Sequence, residues 1–122
     1  MATWQDVARL VDALPLTEQP SPRDWRVGRK PLVWERPWLH SELALDDGGD
    51  MLAVRVPDET TKGALLADRP AVYVTTPHFD GYPVVLVRLA GIGVTDLAEL
   101  ITAAWQAQAP RTVVREYLAR RA

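Results

Sequence analysis

The stretch TTPHFDGYPVVLVR, residues 75–88, reads as a turn and a returning β-strand. Val85, Val87 and Leu89 alternate with Val84, Leu86 and Arg88. That period of two puts successive side chains on opposite faces of a sheet. Asp80-Gly81 supplies the turn chemistry, because glycine takes positive φ without a Cβ clash. Pro77 and Pro83 flank the tip, and Pro83, lacking an N–H, fits only the start or edge of a strand. Upstream, Val72, Val74 and Thr76 alternate with Tyr73 and Thr75, which makes the incoming strand. Packing and turn geometry leave His78, Phe79, Tyr82 and Arg88 without an assigned task. Two readings stand side by side. Either Phe79 and Tyr82 pack the tip onto the body while His78 bonds a carbonyl, or this loop recognises a partner.

Working outward, Thr95 is expected to cap a helix to about Gln108, with Leu97, Leu100, Ile101, Ala104 and Trp105 on its apolar side. Pro110 suits the first turn of a last helix, whose stripe is Val113, Val114, Tyr117 and Leu118. On the other side, Leu52, Val54 and Val56 alternate with Met51, Ala53 and Arg55. Pro57 ends that strand, and Asp58 is the expected N-cap of a short helix to about Ala67. Earlier still, Trp25 and Val27 flank Arg26, Gly28 to Lys30 forms a hairpin turn, and Leu32 and Trp34 alternate with Val33 and Glu35. Thr17 to Pro22 reads as a surface loop. Thr3 and Asp6 form a short capping box before the stripe Val7, Leu10, Val11, Leu14, which Pro15 stops.

The order is α-β-β-β-α-β-β-α-α over one domain, residues 1–122. Hairpin spacings predict an α+β fold, an antiparallel sheet of about five strands with helices packed on one face. If the valines and leucines face the helices, Arg26, Glu35, Arg55, Tyr73 and Arg88 face the other way. That outward face is either an ordinary solvated surface or a platform for an anionic or planar partner.

Composition narrows the function. The chain has 122 residues and no cysteine, so a disulfide framework, a thiolate metal site and a Cys nucleophile are excluded. A cytoplasmic setting fits that absence. MATWQDVARL has no basic stretch followed by an apolar core, so no signal peptide is expected. No run approaches a membrane span, so no membrane partner is expected. Net charge is −2 and the sequence pI about 5.6, against strong non-specific nucleic-acid binding. Charge is uneven, however: Arg23 to Arg36 and Pro110 to the terminus each sum to +3, and Glu42 to Glu59 to −5.

No catalytic or metal constellation emerges, and no cofactor is expected. His40 and His78 have no zinc-like spacing. His40-Ser41-Glu42 are loop neighbours, a poor geometry for a triad. Asp46 to Asp50 lacks the alternating ligands of a calcium loop, and Gly91-Ile92-Gly93 is too short for a dinucleotide fingerprint. Trp25, Trp34 and Trp105 fall on core-facing positions, while Trp38 is a candidate for surface exposure.

TTPHFDGYPVVLVRL, with TWQDVARLVDALP, LVWERP, LAVRVPD, KGALLADRP and AAWQAQAPRTVVREYLA in order, resembles actinobacterial members of the MmcQ/YjbR family across nearly the whole chain. The resemblance implies a double-wing, frataxin-like α+β fold and a non-enzymatic, DNA-binding or regulatory role. Members commonly carry a lysine in the short second helix, here Lys62, and a histidine before the last strand, here His78. The nucleic-acid contacts expected are Arg26, Arg29, Lys30, Arg88, Arg111 and Arg115, with His78 and Tyr82 at the wing tip. The alternative is a small-molecule (anionic) or protein site around His78, Phe79, Asp80, Tyr82 and Lys62. Unpaired sheet edges allow a monomer or a homodimer.

Overall fold

A computed structural model describes residues 1–36 and 50–121. Trp38, the His40-Ser41-Glu42 trio and residues 46–49 of the acidic turn lie outside the described residues. The fold is α+β, with a six-stranded antiparallel sheet in the order β1-β2-β3-β4-β6-β5. Its strands are β1 (Thr17–Ser21), β2 (Asp24–Val27), β3 (Lys30–Glu35), β4 (Met51–Arg55), β5 (Tyr73–Val74) and β6 (Val84–Arg88). The helices are α1 (Trp4–Asp12), α2 (Glu59–Asp68), α3 (Val94–Gln108) and α4 (Arg111–Arg121).

The sixth strand is β1, expected as a loop. It is an edge strand paired only with β2, and its residues after Thr17 are exposed, so no hydrophobic alternation betrays it. Pro20 is tolerated there because an edge strand has N–H positions that need no partner. Thr17 Oγ1 fixes the entry to β1 by donating to the carbonyls of Val11 and Leu14, both at 3.0 Å.

One large core lies between the sheet and the helices. Val7, Val11 and Leu14 from α1 and its exit meet Leu97, Ile101, Ala104 and Trp105 of α3 over Leu52, Val54, Val85 and Val87. Trp105 is fully buried; its Nε1–H donates to the Pro15 carbonyl at 2.9 Å and its ring meets Tyr117 edge-on at 4.9 Å. Capping follows chemistry at two helices. Thr3 and Asp6 make the reciprocal box on α1, and the Asp58 carboxylate accepts the Thr61 N–H at 2.8 Å on α2. At α3 the cap is Gly93, with Thr95 already inside the helix. Leu118 is exposed rather than part of the α4 stripe, which Val113, Val114 and Tyr117 form.

Several side-chain directions differ from the period-two reading, for two separate reasons. The first is a break in the β2–β3 ladder: Trp25 pairs with Val33 but Arg26 pairs with Pro31, which leaves Leu32 unpaired. Leu32 and Val33 therefore both enter the large core, and Trp34 turns to the opposite face beside Ala53. The same register puts Glu35 in the row of Leu52, where it meets the Arg23 guanidinium at 2.7 Å, instead of on the outward face. The second reason is that Val72 precedes β5, in a turn whose N–H groups donate to the Arg69 carbonyl. Tyr73 then pairs with Val87 and is buried in the large core, 5% exposed, instead of facing outward.

The face away from the large core is consequently not an open polar platform. Met51, Ala53, Val84 and Leu86 are buried there with Phe79, flanked by Trp34 and Val74. Arg26, Arg55 and Arg88 do share that face by register.

Candidate binding surfaces

The candidate residues fall into two regions. The first is the corner where α2 meets the segment between β5 and β6. Pro77–Phe79 forms a single 3-10 turn, with the Phe79 N–H donating to the Thr76 carbonyl at 2.9 Å. This turn carries Phe79 back onto the second face of the sheet, where it is 7% exposed. The His78 ring meets Phe79 edge-on at 4.8 Å, and the Arg36 guanidinium lies over Phe79 at 5.4 Å. Lys62, 5% exposed, reaches in from α2, and its ammonium donates to the carbonyls of Phe79 at 2.7 Å and Tyr82 at 2.8 Å. The segment is thus a strap folded onto the body, not a projecting tip.

Lys62, His78, Phe79 and Tyr82 do converge, but unequally. Lys62 and Phe79 hold the strap in place. His78 and Tyr82 remain exposed, Tyr82 at 62%. Sequence alone flagged Lys62 through the family resemblance; the signal for its structural task is a lysine on the same helix as Leu65 and Leu66, both packed against the core.

The second region is one end of the sheet. Gln108, at the last turn of α3, donates through Nε2 to the Pro31 carbonyl at 2.9 Å. That bond ties the α3–α4 junction to the start of β3. Arg111 follows Gln108 by three residues and Lys30 precedes Pro31 by one, so the chain brings Arg29, Lys30 and Arg111 to this end, with Arg115 about one helical turn further along α4. Gly28, at φ +59, permits the tight turn that presents Arg29 and Lys30. On α4, Arg111, Arg115 and Leu118 recur at i, i+4 and i+7 on the exposed side, opposite Val113, Val114 and Tyr117. All four cations are exposed and make no ion pair with the described residues. Glu116 is the acidic neighbour on α4, about 100° round the helix from Arg115.

The other expected contacts divide. Arg26 sits beside Pro31 in the ladder but is already paired with Asp24 at 3.5 Å. Arg88 pairs with Met51 at the opposite end of the sheet and is half-buried and engaged, so it does not join the cluster. Tyr82 does lie at the basic end. The Val56 N–H donates to the Pro83 carbonyl at 2.9 Å, which carries the β4–β6 ladder to that level. Continuing the registers places Lys30, Pro57 and Tyr82 at one end, with about 10 Å of sheet width between first and last.

Among the described residues no group of three His, Asp or Glu converges on a point that would hold a metal. No helix among them is long and apolar enough to cross a membrane.

Comparison with known proteins finds relatives over almost the full chain. The uncharacterized protein Rv2570 of Mycobacterium tuberculosis (strain ATCC 25618 / H37Rv) is 58% identical over 126 residues, spanning 98% of each chain. The uncharacterized protein Mb2600 of Mycobacterium bovis is 58% identical over the same length, with the same coverage. No protein-family model matches the chain, and no solved structure matches it.

Proposed function

The chain belongs to one family with these mycobacterial proteins, and for it we propose a non-enzymatic binding role in which the basic end engages a polyanion, duplex DNA. The observation that carries this reading is the gathering of Arg29, Lys30, Arg111 and Arg115, exposed and unpaired among the described residues, by the Gln108–Pro31 bond. The resemblance to MmcQ/YjbR proteins supports the choice of DNA.

The overall charge of −2 does not oppose it. At physiological salt a charge is screened beyond about 8 Å, so a phosphate senses the local cations and little of the distant carboxylates. Asp58, an acidic residue toward this end, is engaged in capping α2. Its carboxyl is held below the usual carboxylate range, chiefly by the Thr61 backbone N–H. Arg111 adds a further argument. It stands in the first turn of α4, where the helix dipole disfavours a cation and no acidic residue of that turn offsets it. The described residues give no internal reason for a charge there, whereas an external anion does.

Four phosphate contacts predict a slope of log K against log salt of about −3.6. Affinity for a fluorescent duplex of about 20 base pairs, read by anisotropy, should then fall roughly fifty-fold from about 50 to about 150 mM salt. No binding at the lower salt, or affinity independent of salt, rejects the reading. The alternative site around residues 78–82 retains His78 and Tyr82 as its exposed groups. Weaker DNA binding in Tyr82→Ala with the salt slope unchanged would extend the interface to it.

A further inference from the structure

Leu16, in the connection from α1 to β1, joins two unfavourable features. Its side chain is 55% exposed, and its backbone stands at φ +62. Glycine takes that left-handed conformation freely, whereas the Cβ of a leucine crowds the following carbonyl oxygen. Bonds on each side hold the turn in place. The Pro15 carbonyl accepts the Trp105 Nε1–H at 2.9 Å, and the Leu16 carbonyl accepts the Gly28 N–H at 3.0 Å. Thr17 Oγ1 donates to the carbonyls of Val11 and Leu14. These bonds account for the strained backbone, and a glycine at this position would make them equally well. They give no reason for a leucine side chain.

Its place in the fold supplies one. Thr17 pairs with Val27, so Leu16 lies opposite Gly28, about 5 Å across the strands from the residue that precedes Arg29. Trp105, whose indole bonds Pro15, stands three residues before Gln108, which ties α3 to Pro31. An exposed, rigidly presented leucine therefore stands beside the cations of the basic end. Phosphates explain the cations but not the leucine. Proteins that bind the minor groove combine the two: cations hold the backbone while an apolar wedge parts a base step and bends the duplex. A lipid surface also attracts cations with an apolar neighbour, but one leucine gives it little area to bury, whereas one is enough to part a base step. Building on the reading of the basic end as a DNA site, we propose that Leu16 enters the minor groove as a wedge between base pairs, with the neighbouring cations on the flanking phosphates.

The test is fluorescence energy transfer between dyes at the two ends of a duplex of about 20 base pairs, titrated with the full chain at low salt. Binding should raise the transfer, because a kink of about 20–90° brings the ends together. Leu16→Ala and Leu16→Gly should abolish that rise and weaken binding roughly ten-fold. Both should keep the wild-type salt slope, since a leucine neutralises no phosphate. Leu16→Gly should melt no lower than the wild type, because glycine relieves the left-handed backbone. Salt-dependent binding without a rise in transfer, or Leu16 variants that bend the duplex like wild type, overturns the wedge and leaves the DNA reading standing. A Leu16→Gly chain that melts well below wild type makes the leucine a folding residue and also overturns the wedge. No binding to any duplex overturns both. Sedimentation with vesicles of phosphatidylcholine and phosphatidylserine is the last arm. Vesicle binding that the Leu16 variants lose, with DNA binding unchanged, replaces the wedge by a membrane surface.

Discussion

Lys62 and Lys30 are both lysines close to the same end of one sheet, and they do opposite things. Lys62 is buried, with its ammonium donating to two backbone carbonyls of the strap. Lys30 is exposed at a two-residue turn, and its ammonium bonds to no described residue. The same contrast separates the regions around them. At the strap corner the lysine and the phenylalanine hold the chain together. At the basic end the cations hold none of the described residues, and Arg111 even opposes its own helix. Residue type therefore does not locate function in this fold. What locates it is whether a group's bonding capacity is already taken up.

Substitutions test that contrast. The largest effect is expected at Phe79, the aromatic of the second, smaller core. Phe79→Ala should destabilise the protein by about 3–5 kcal/mol, as for truncating a buried aromatic. A urea-unfolding midpoint near the wild-type value would mean the strap is not anchored by this ring. Lys62→Met comes next. It keeps the apolar stem but removes both charge-assisted bonds; the Phe79 and Tyr82 carbonyls still accept the Tyr82 and Val84 N–H groups, and the lost bonds should cost about 2 kcal/mol. If Lys62→Met unfolds with the wild type, the ammonium is not structural and the two lysines are not opposites.

The same distinction governs what the sequence could reveal. The order of helices and central strands was legible because Leu52, Val54, Val85 and Val87 alternate without interruption and face one core. The Asp58 cap was legible because a short acid before a helical run has one good use. Trp34 and Tyr73 were not, because each lies just past a local irregularity. A skipped residue at Leu32 moves Trp34 to the other face, and a turn at Val72 moves Tyr73 inward. Period two has no memory of such a slip. β1 was hidden because an exposed edge strand needs no apolar face. The occupied state of Lys62 was hidden for a different reason: its partners are backbone carbonyls 17 and 20 residues away, which have no sequence signature at all. The gathering of Arg29, Lys30, Arg111 and Arg115 likewise depends on Gln108 meeting Pro31, 77 residues apart.

The smallest effect on stability is expected where the largest effect on binding lies. Arg111→Ala with Arg115→Ala should change unfolding free energy by no more than about 0.5 kcal/mol, as for exposed surface positions. Alanine is the better helix former, and removing Arg111 relieves a cation at a helix N-terminus. The same pair of changes should reduce the salt slope of DNA binding by about 1.8, the share of two phosphate contacts. Arg88→Ala is the matched comparison. It removes a guanidinium from the opposite end of the sheet, where the side chain is half-buried and engaged, so the salt slope should stay at the wild-type value. Anisotropy titrations at several salt concentrations measure both slopes on one scale. A slope loss for Arg88→Ala half that of the double variant, the same per charge removed, would mean that DNA responds to total charge and not to the cations gathered at one end. That outcome would remove the distinction between occupied and unoccupied groups as a guide to where this protein binds.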